Sequence, residues 1–253
     1  MNAQTYMNFH GILLYRKNFK ERDMLVKFLT AEAGKKMFFI RGARKRGFKM
    51  MPDILPFTYG LYSGKISRDN LSYIYSALDT DHYGNISHDI YLNAYATYIM
   101  SLIDVAFPDS TPILGWFNKL FEALKLINNG IDAAIITNII EIQLLNVFGV
   151  QPEFRGCTIC GRNDLPMDYS EAYGGLICAK HYHMDLHRLH LDAKTVFYLR
   201  KFSVIDIQKI NNINVNENTK RNLRNVLDKL YQDTVGINLK SKHFLDQIND
   251  LKL

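Results

Sequence analysis

From residue 8 to residue 80 the apolar positions come in short runs broken by Gly, Asn, Asp and Lys. Runs at 8–15, 23–30, 36–41, 55–62 and 71–78 predict five strands. Ala33-Gly34-Lys35-Lys36, Ser63-Gly64-Lys65 and Ser67-Arg68-Asp69-Asn70 read as the turns between them. Short strands at this spacing suggest a small barrel or sandwich. A five-stranded OB-fold barrel fits the length, but the pattern alone does not select it.

Near residue 80 the period changes. The polar stretch 79–85 reads as a linker or a helix start, and from His88 onward Ile90, Tyr91, Ala94, Tyr95, Tyr98, Ile99 and Leu102 recur at helical spacing. Residues 116–127 predict a second helix, ended by Asn129-Gly130. Residues 132–148 predict a third, apolar on several faces and therefore central in a bundle. Asp192 is placed to cap a helix at 193–202, and Asn216 or Asn218 one running to 233 with Leu223, Val226, Leu227 and Leu230 on one face. Residues 240–251 predict a last short helix. The expected class is α+β: a β-rich domain at 1–80, then a helical domain at 81–253.

Charge adds a direction to this picture. The 253-residue chain carries a net +6, yet residues 15–50 hold twelve Lys or Arg against three acids, twelve minus three or +9. The densest part is the loop Arg41-Gly42-Ala43-Arg44-Lys45-Arg46-Gly47-Phe48-Lys49, which follows the run Met37-Phe38-Phe39-Ile40. Such asymmetry points to a polyanion or an anionic membrane surface. No basic amphipathic helix or lipidation signal accompanies it, so nucleic acid ranks above membrane. Lys17, Lys20, Arg22, Lys35, Lys36, Arg41, Arg44, Lys45, Arg46 and Lys49 are the expected phosphate-tracking residues. If Ile40 points into a barrel, Phe39 faces outward beside Arg41 and can stack on a base; the commoner fate of such a residue is the core.

No charged leader followed by an apolar core opens the chain, and the most apolar window, 131–150, is interrupted by Asn138, Glu141, Gln143 and Asn146. The three cysteines fall within one short region and their odd count argues against a closed disulfide framework, so a cytoplasmic protein is expected.

Those cysteines form a pattern of their own. Cys157-Thr158-Ile159-Cys160 and Cys178-Ala179-Lys180-His181 are two pairs of soft donors, each with two residues between its ligands. Cys157, Cys160, Cys178 and His181 predict a tetrahedral Zn2+ knuckle inserted at about 153–185, with His183 as a competing fourth ligand. A closed site of this kind has no open position for substrate and is structural. Motifs for catalysis are missing: no Walker loop, dinucleotide fingerprint or Gly-x-Ser-x-Gly elbow occurs. Glu141 is a lone acid in an apolar helix and is expected to bond a neighbouring helix. The expectation is a binding protein and no enzyme.

The segments Tyr15-Arg16-Lys17-Asn18-Phe19-Lys20-Glu21-Arg22-Asp23, Leu29-Thr30-Ala31-Glu32-Ala33-Gly34-Lys35, Arg41-Gly42-Ala43-Arg44-Lys45 and Leu55-Pro56-Phe57 resemble the N-terminal domain of the bacterial recombination mediator RecO family. The cysteine pairs after a three-helix run, and Gly236-Ile237-Asn238-Leu239-Lys240-Ser241 with Phe244-Leu245, resemble its C-terminal part. One departure is His181, where the family often has a fourth cysteine. The resemblance implies an N-terminal five-stranded OB-fold β-barrel followed by an α-helical domain with an inserted zinc knuckle. It also implies binding to single- and double-stranded DNA, annealing of complementary strands, and loading of the RecA recombinase onto strands covered by single-stranded DNA-binding protein (SSB). The implied partners are RecR and the acidic C-terminal tail of SSB, and the implied place is the cytoplasm, at the nucleoid. The competing class is a zinc-stapled protein that binds RNA or a ribosomal surface.

Overall fold

β1 (Gln4–Phe19) is long enough to serve two neighbours. Its first part pairs antiparallel with β4 (Thr58–Ser67), and its last part pairs antiparallel with β2 (Asp23–Thr30). A register shift between Leu13 and Tyr15 bends it between the two partners. With β3 (Gly34–Ile40) and β5 (Ser72–His82) the sheet closes into a barrel of order β1-β2-β3-β5-β4. This is the computed structural model of the chain; it describes residues 4–67 and 70–251, with side chains from residue 6. Tight packing divides the chain into Met1–Gly130 with Leu239–Leu253, and Ile131–Asn238.

Inside the barrel, alternate residues meet on the axis. Phe9, Leu13, Val26, Phe28, Phe38, Ile40, Tyr62 and Ile74 belong to one buried cluster. Phe9 stacks on Phe38 at 4.9 Å and Phe28 meets Tyr62 at 4.9 Å, so aromatic rings fill the centre. The Tyr62 hydroxyl donates to the Asp53 carbonyl at 2.7 Å, which satisfies its one polar atom.

Two sequence expectations change here. Ser63-Gly64-Lys65 is not a turn but lies within β4, because β1 and β5 hold it on both sides. The polar stretch 79–85 is not a linker: β5 runs on to His82. The Arg68-Asp69 part of the expected turn lies outside the described residues.

Three helices follow the barrel within the same unit: α1 (Gly84–His88), α2 (Ile90–Ala106) and α3 (Leu114–Asn128). The Asp89 carboxylate caps α2, accepting from the Tyr91 and Leu92 amides. The last helix, α7 (Lys240–Asp250), returns to this unit and packs on α2, where Tyr95 donates to Asn249 at 3.1 Å.

Aromatic packing of Tyr59 on Phe121 joins the barrel to these helices, and an ion cluster fixes how they dock. Lys27 on β2 and Lys35 on β3 both reach Asp104 and Asp109. The four contacts span 2.6–3.1 Å, and the Lys35 side chain is 2% exposed. Lys36 is also buried, and its ammonium donates to the Ser67 carbonyl and the Ser110 hydroxyl, both at 2.8 Å. Gly34, at φ +68°, lets the β2–β3 turn approach; a Cβ there would lie 2.0 Å from the Thr111 carbonyl oxygen. Burial alone would raise the Asp109 carboxyl, but hydrogen bonds from Lys27 and Lys35 outweigh it and hold it below the usual range.

The second unit is built on α4 (Ala133–Leu145), whose side chains are buried all round except at Ala134. α5 (Ala193–Val204) and α6 (Glu217–Leu230) pack on it. Asp192 caps α5, and of the two candidates it is Asn216 that caps α6. Leu223, Val226, Leu227 and Leu230 are all buried, as one apolar face requires. Glu141 is 0% exposed and pairs bidentately with Arg224 on α6 at 2.7 and 3.0 Å, so the lone acid does bond a neighbouring helix.

Removing the Lys35 ammonium leaves two carboxylates short of a donor. Lys35→Ala is expected to destabilise the chain by about 3 kcal/mol, a fall of roughly 6–12 °C in Tm by calorimetry. The sign with pH follows from the lowered Asp109 carboxyl. Its contribution is whole above the ordinary 3.8 and is lost as pH falls through the lower folded value, so the deficit should shrink below pH 3.8. An unchanged Tm at neutral pH would show that the cluster contributes nothing.

Candidate functional site

Two places carry unusual chemistry, one in each unit. The first is the end of the barrel where β1 turns into β2 and β3 leaves the sheet. The loop after Ile40 is tied down by its backbone. The Gly42 amide donates to the Asp23 carboxylate at 2.7 Å, the Arg44 amide to the Arg22 carbonyl at 3.0 Å, and the Arg44 guanidinium to the Glu21 carbonyl at 3.0 Å. Gly42 sits at φ +68°, a left-handed turn that other residues resist. Ala43 is buried, and Phe48 packs against the barrel core. Anchored this way, the loop holds Arg41, Arg44, Lys45, Arg46 and Lys49 exposed beside Lys17, Lys20 and Arg22 of the β1–β2 hairpin. Among the described residues none of these eight forms an ion pair.

Lys35 and Lys36 are the exception among the ten expected phosphate-tracking residues. They sit at the other end of β3, buried and committed to Asp104, Asp109, Ser67 and Ser110, so they do not belong to the cationic surface. The sequence pattern missed this because their partners are distant in sequence, from 31 residues for Ser67 to 74 for Ser110.

Phe39 is outward. Ile40 points into the core, Phe39 is only half-buried, and its ring meets Phe19 and Tyr73 edge to face, each at 6.0 Å. The core placement expected as the commoner fate is therefore not adopted. Lys20 lies over the Phe19 ring at 5.5 Å, which joins the basic end to this aromatic row. The exposed tyrosines Tyr6, Tyr73 and Tyr75 were missed by sequence reasoning. The alternation Ser72-Tyr73-Ile74-Tyr75 carried the signal, since a buried Ile74 puts both rings outside.

The second place is a cluster of soft ligands. β6 (Met167–Ser170) and β7 (Gly175–Cys178) form a hairpin, and a short 3-10 turn follows at Ala179–Met184. The Cys157–Cys160 turn is closed by the Gly161 amide on the Cys157 carbonyl at 2.8 Å, and the Thr158 amide docks it on Leu176 at 2.8 Å. The ligand atoms of Cys157, Cys160, Cys178 and His181 all lie within 4.8 Å of one another. Cys160 and Cys178 sulfurs are 3.8 Å apart, and His181 Nδ1 lies 3.5 and 3.3 Å from the Cys157 and Cys178 sulfurs. His183 is exposed and outside the cluster, so His181 is the fourth member.

Burial raises the Cys157 thiol, but amides of Cys178, Cys160 and Ile159 and the His181 ring outweigh it and bring it down to about 6. Burial raises the Cys178 thiol, and the neighbouring sulfurs add to that. Three thiols and an imidazole in this arrangement can hold one metal ion. Behind the cluster, the buried Asp168 carboxylate receives the His190 and Leu191 amides and the Arg188 guanidinium, fixing the segment that leaves it.

Comparison with known proteins gives these features a class. Residues 1–83 match the family model described as recombination protein O N terminal, and residues 87–243 the one described as recombination protein O C terminal. A protein of Lactiplantibacillus plantarum is 56% identical over 241 residues, covering 95% of this chain and 93% of its own. One of Levilactobacillus brevis is 54% identical over 246 residues, covering 97% and 95%. Each is called DNA repair protein RecO. The matches place the chain in the class of DNA repair and recombination proteins. It belongs to the recombination protein O family.

Removing ligands should separate metal from fold. His181→Ala or Cys160→Ser is expected to abolish uptake of one equivalent of added metal, measured by elemental analysis after desalting, and to lower the stability of the 131–238 unit. Full metal content in both variants would remove the cluster as the site.

Proposed function

We propose that this chain is a recombination mediator that holds single- and double-stranded DNA without sequence preference and anneals complementary strands. The observation that carries this reading is the exposed cationic end of the barrel. Eight side chains from two connected segments face solvent there without carboxylate partners among the described residues. Each phosphate neutralised releases counterions, which drives binding irrespective of sequence. Two strands held on one cationic surface repel each other less and meet at a higher local concentration. Their pairing then needs no nucleotide hydrolysis.

The strand order β1-β2-β3-β5-β4 in a closed barrel of five strands supports an OB-fold. In this reading residues 1–80 are the nucleic-acid-binding domain, and residues 81–253 the helical domain with its knuckle at about 153–185. That division follows secondary structure; by packing, α1–α3 and α7 stay with the barrel. The metal is structural zinc. At a Zn–S distance of about 2.3 Å a tetrahedron has sulfur–sulfur edges of about 3.8 Å, and Cys160 to Cys178 is 3.8 Å. RecR and the acidic tail of SSB are the proposed partners, with delivery of strands to RecA as the outcome in the cytoplasm. No described helix is long and apolar enough to cross a membrane.

The test is annealing of complementary oligonucleotides without ATP across a salt series. Acceleration that fades with salt is expected. Arg44→Ala with Lys45→Ala should weaken binding on all sequences alike and make the salt slope shallower by about 1.4, at ~0.7 per single-strand phosphate contact. A loss confined to particular sequences, or no acceleration by metal-loaded protein at low salt, would sink this reading.

A further inference from the structure

The outward face of β3, β5, β4 and the first part of β1 carries a row of rings that the cationic end does not explain. Phe39 on β3 stands opposite Tyr73 on β5, Tyr73 opposite Lys65 on β4, and Lys65 opposite Tyr6 on β1. These four positions form one rung, and all face away from the core. Tyr75 joins them through a bulge. Ser63 pairs with Ser76 and Gly64 with Ile74, so Tyr75 is the extra residue of β5. A bulge re-aims its side chain, and here the Tyr75 ring lies flat against Tyr6, with centroids 5.6 Å apart and planes 15° from parallel.

Exposure sets this row apart from core packing. Tyr6 is 69% exposed and Tyr75 54%. The Lys65 ammonium sits 5.7 Å from the Tyr6 centroid, within the row, since β4 lies between β5 and β1. At the near edge Phe39 touches Phe19, over which Lys20 lies. None of the outward positions on these rungs is Asp or Glu. From Phe39 to Tyr6 the row crosses three strand spacings, about 14 Å at ~4.8 Å each, or about four bases stacked at ~3.4 Å.

We propose that the row formed by Phe39, Tyr73, Tyr75 and Tyr6, with Lys65 among them, is a base-stacking path for single-stranded nucleic acid that leads away from the cationic end. The chemistry favours this occupant. Outward rings with Lys20 at one edge and Lys65 among them suit π faces joined by phosphates, since stacking is indifferent to base identity and the cations take the backbone. The rungs lack the cluster of branched aliphatic side chains that a protein partner's apolar segment would bury. A strand that leaves phosphate contacts at the loop for stacking contacts here has its bases ordered, with Lys65 beside its backbone.

The inference rests on the nucleic-acid reading above, and two oligonucleotides separate them. One is oligo(dT); the other has the same length but abasic sugars, so it offers phosphates without bases. Wild type should bind oligo(dT) at least tenfold more tightly than the abasic strand. Tyr6→Thr with Tyr75→Thr, which keeps β-branched residues in the strands, should remove that advantage while leaving abasic affinity unchanged. Tyr6→Phe with Tyr75→Phe should restore it, because the rings remain. Arg44→Ala with Lys45→Ala should instead weaken both strands together. On the unmodified protein, photocrosslinking of 5-iodouracil oligonucleotides should label Tyr6 or Tyr75 by mass spectrometry, a readout that needs no folded variant.

Equal binding of both strands by wild type, or crosslinks confined to the loop at 41–49, would overturn the stacking path and leave the cationic surface standing. So would a folded threonine variant that keeps its preference for oligo(dT) but loses a protein partner, which would make the row a protein interface. Failure of wild type to bind either strand at low salt would overturn the nucleic-acid reading and the path with it.

Discussion

The ion cluster of Lys27 and Lys35 with Asp104 and Asp109 decides how the first unit works. It takes two cations from the basic half of the sequence, buries them under the barrel's β2–β3 hairpin, and cancels them with carboxylates at the end of α2 and just beyond it. Pairs this buried give modest net stability, since desolvation offsets attraction, but losing one member is costly. The cluster therefore acts more as a specification than as a glue. The docking of the hairpin seen here satisfies all four charges and the Lys36 ammonium together. With that end of the barrel docked on α2 and the segment after it, the exposed basic loop lies at the opposite end of β3.

This accounts for a division among residues that look alike in sequence. Lys35 and Arg41 are six positions apart on one strand and its exit, yet one is structural and the other faces solvent. β3 carries them to opposite ends of the barrel, roughly 20 Å apart at ~3.3 Å per residue. The run of positive charge in residues 15–50 is thus two sets. Counting charge located the region but could not separate the sets, because the neutralising acids lie in a different stretch of chain.

Other features were legible to the degree that their physics is local. The Cys157, Cys160, Cys178 and His181 cluster was readable because ligand spacing within each pair is a property of a single turn. The caps at Asp192 and Asn216 were readable for the same reason. Strand limits were not. β4 and β5 extend past their polar residues because neighbouring strands supply the hydrogen bonds, so Ser63-Gly64-Lys65 stays extended despite its turn-like composition. Phe39 was readable only as a conditional, since its direction depends on the register of Ile40 against Met24. For Tyr75 the alternation with Ile74 shows that the ring is outside, while its place against Tyr6 depends on a bulge that the pattern does not show.

Sequence-independent binding asks two different things of a surface. Phosphate contacts give affinity and a steep salt response, but they leave bases free to turn in any direction. Pairing of complementary strands needs bases presented with their edges outward, which stacking achieves without reading identity. A cationic end alone would hold two strands together without ordering either. The barrel described here places exposed cations at one end and a row of rings running round from that end, linked through Lys20, Phe19 and Phe39. The same alternation that fills the interior with Phe9, Phe38, Tyr62 and Ile74 puts Phe39, Tyr73 and Lys65 outside, so core and surface are two readings of one strand pattern.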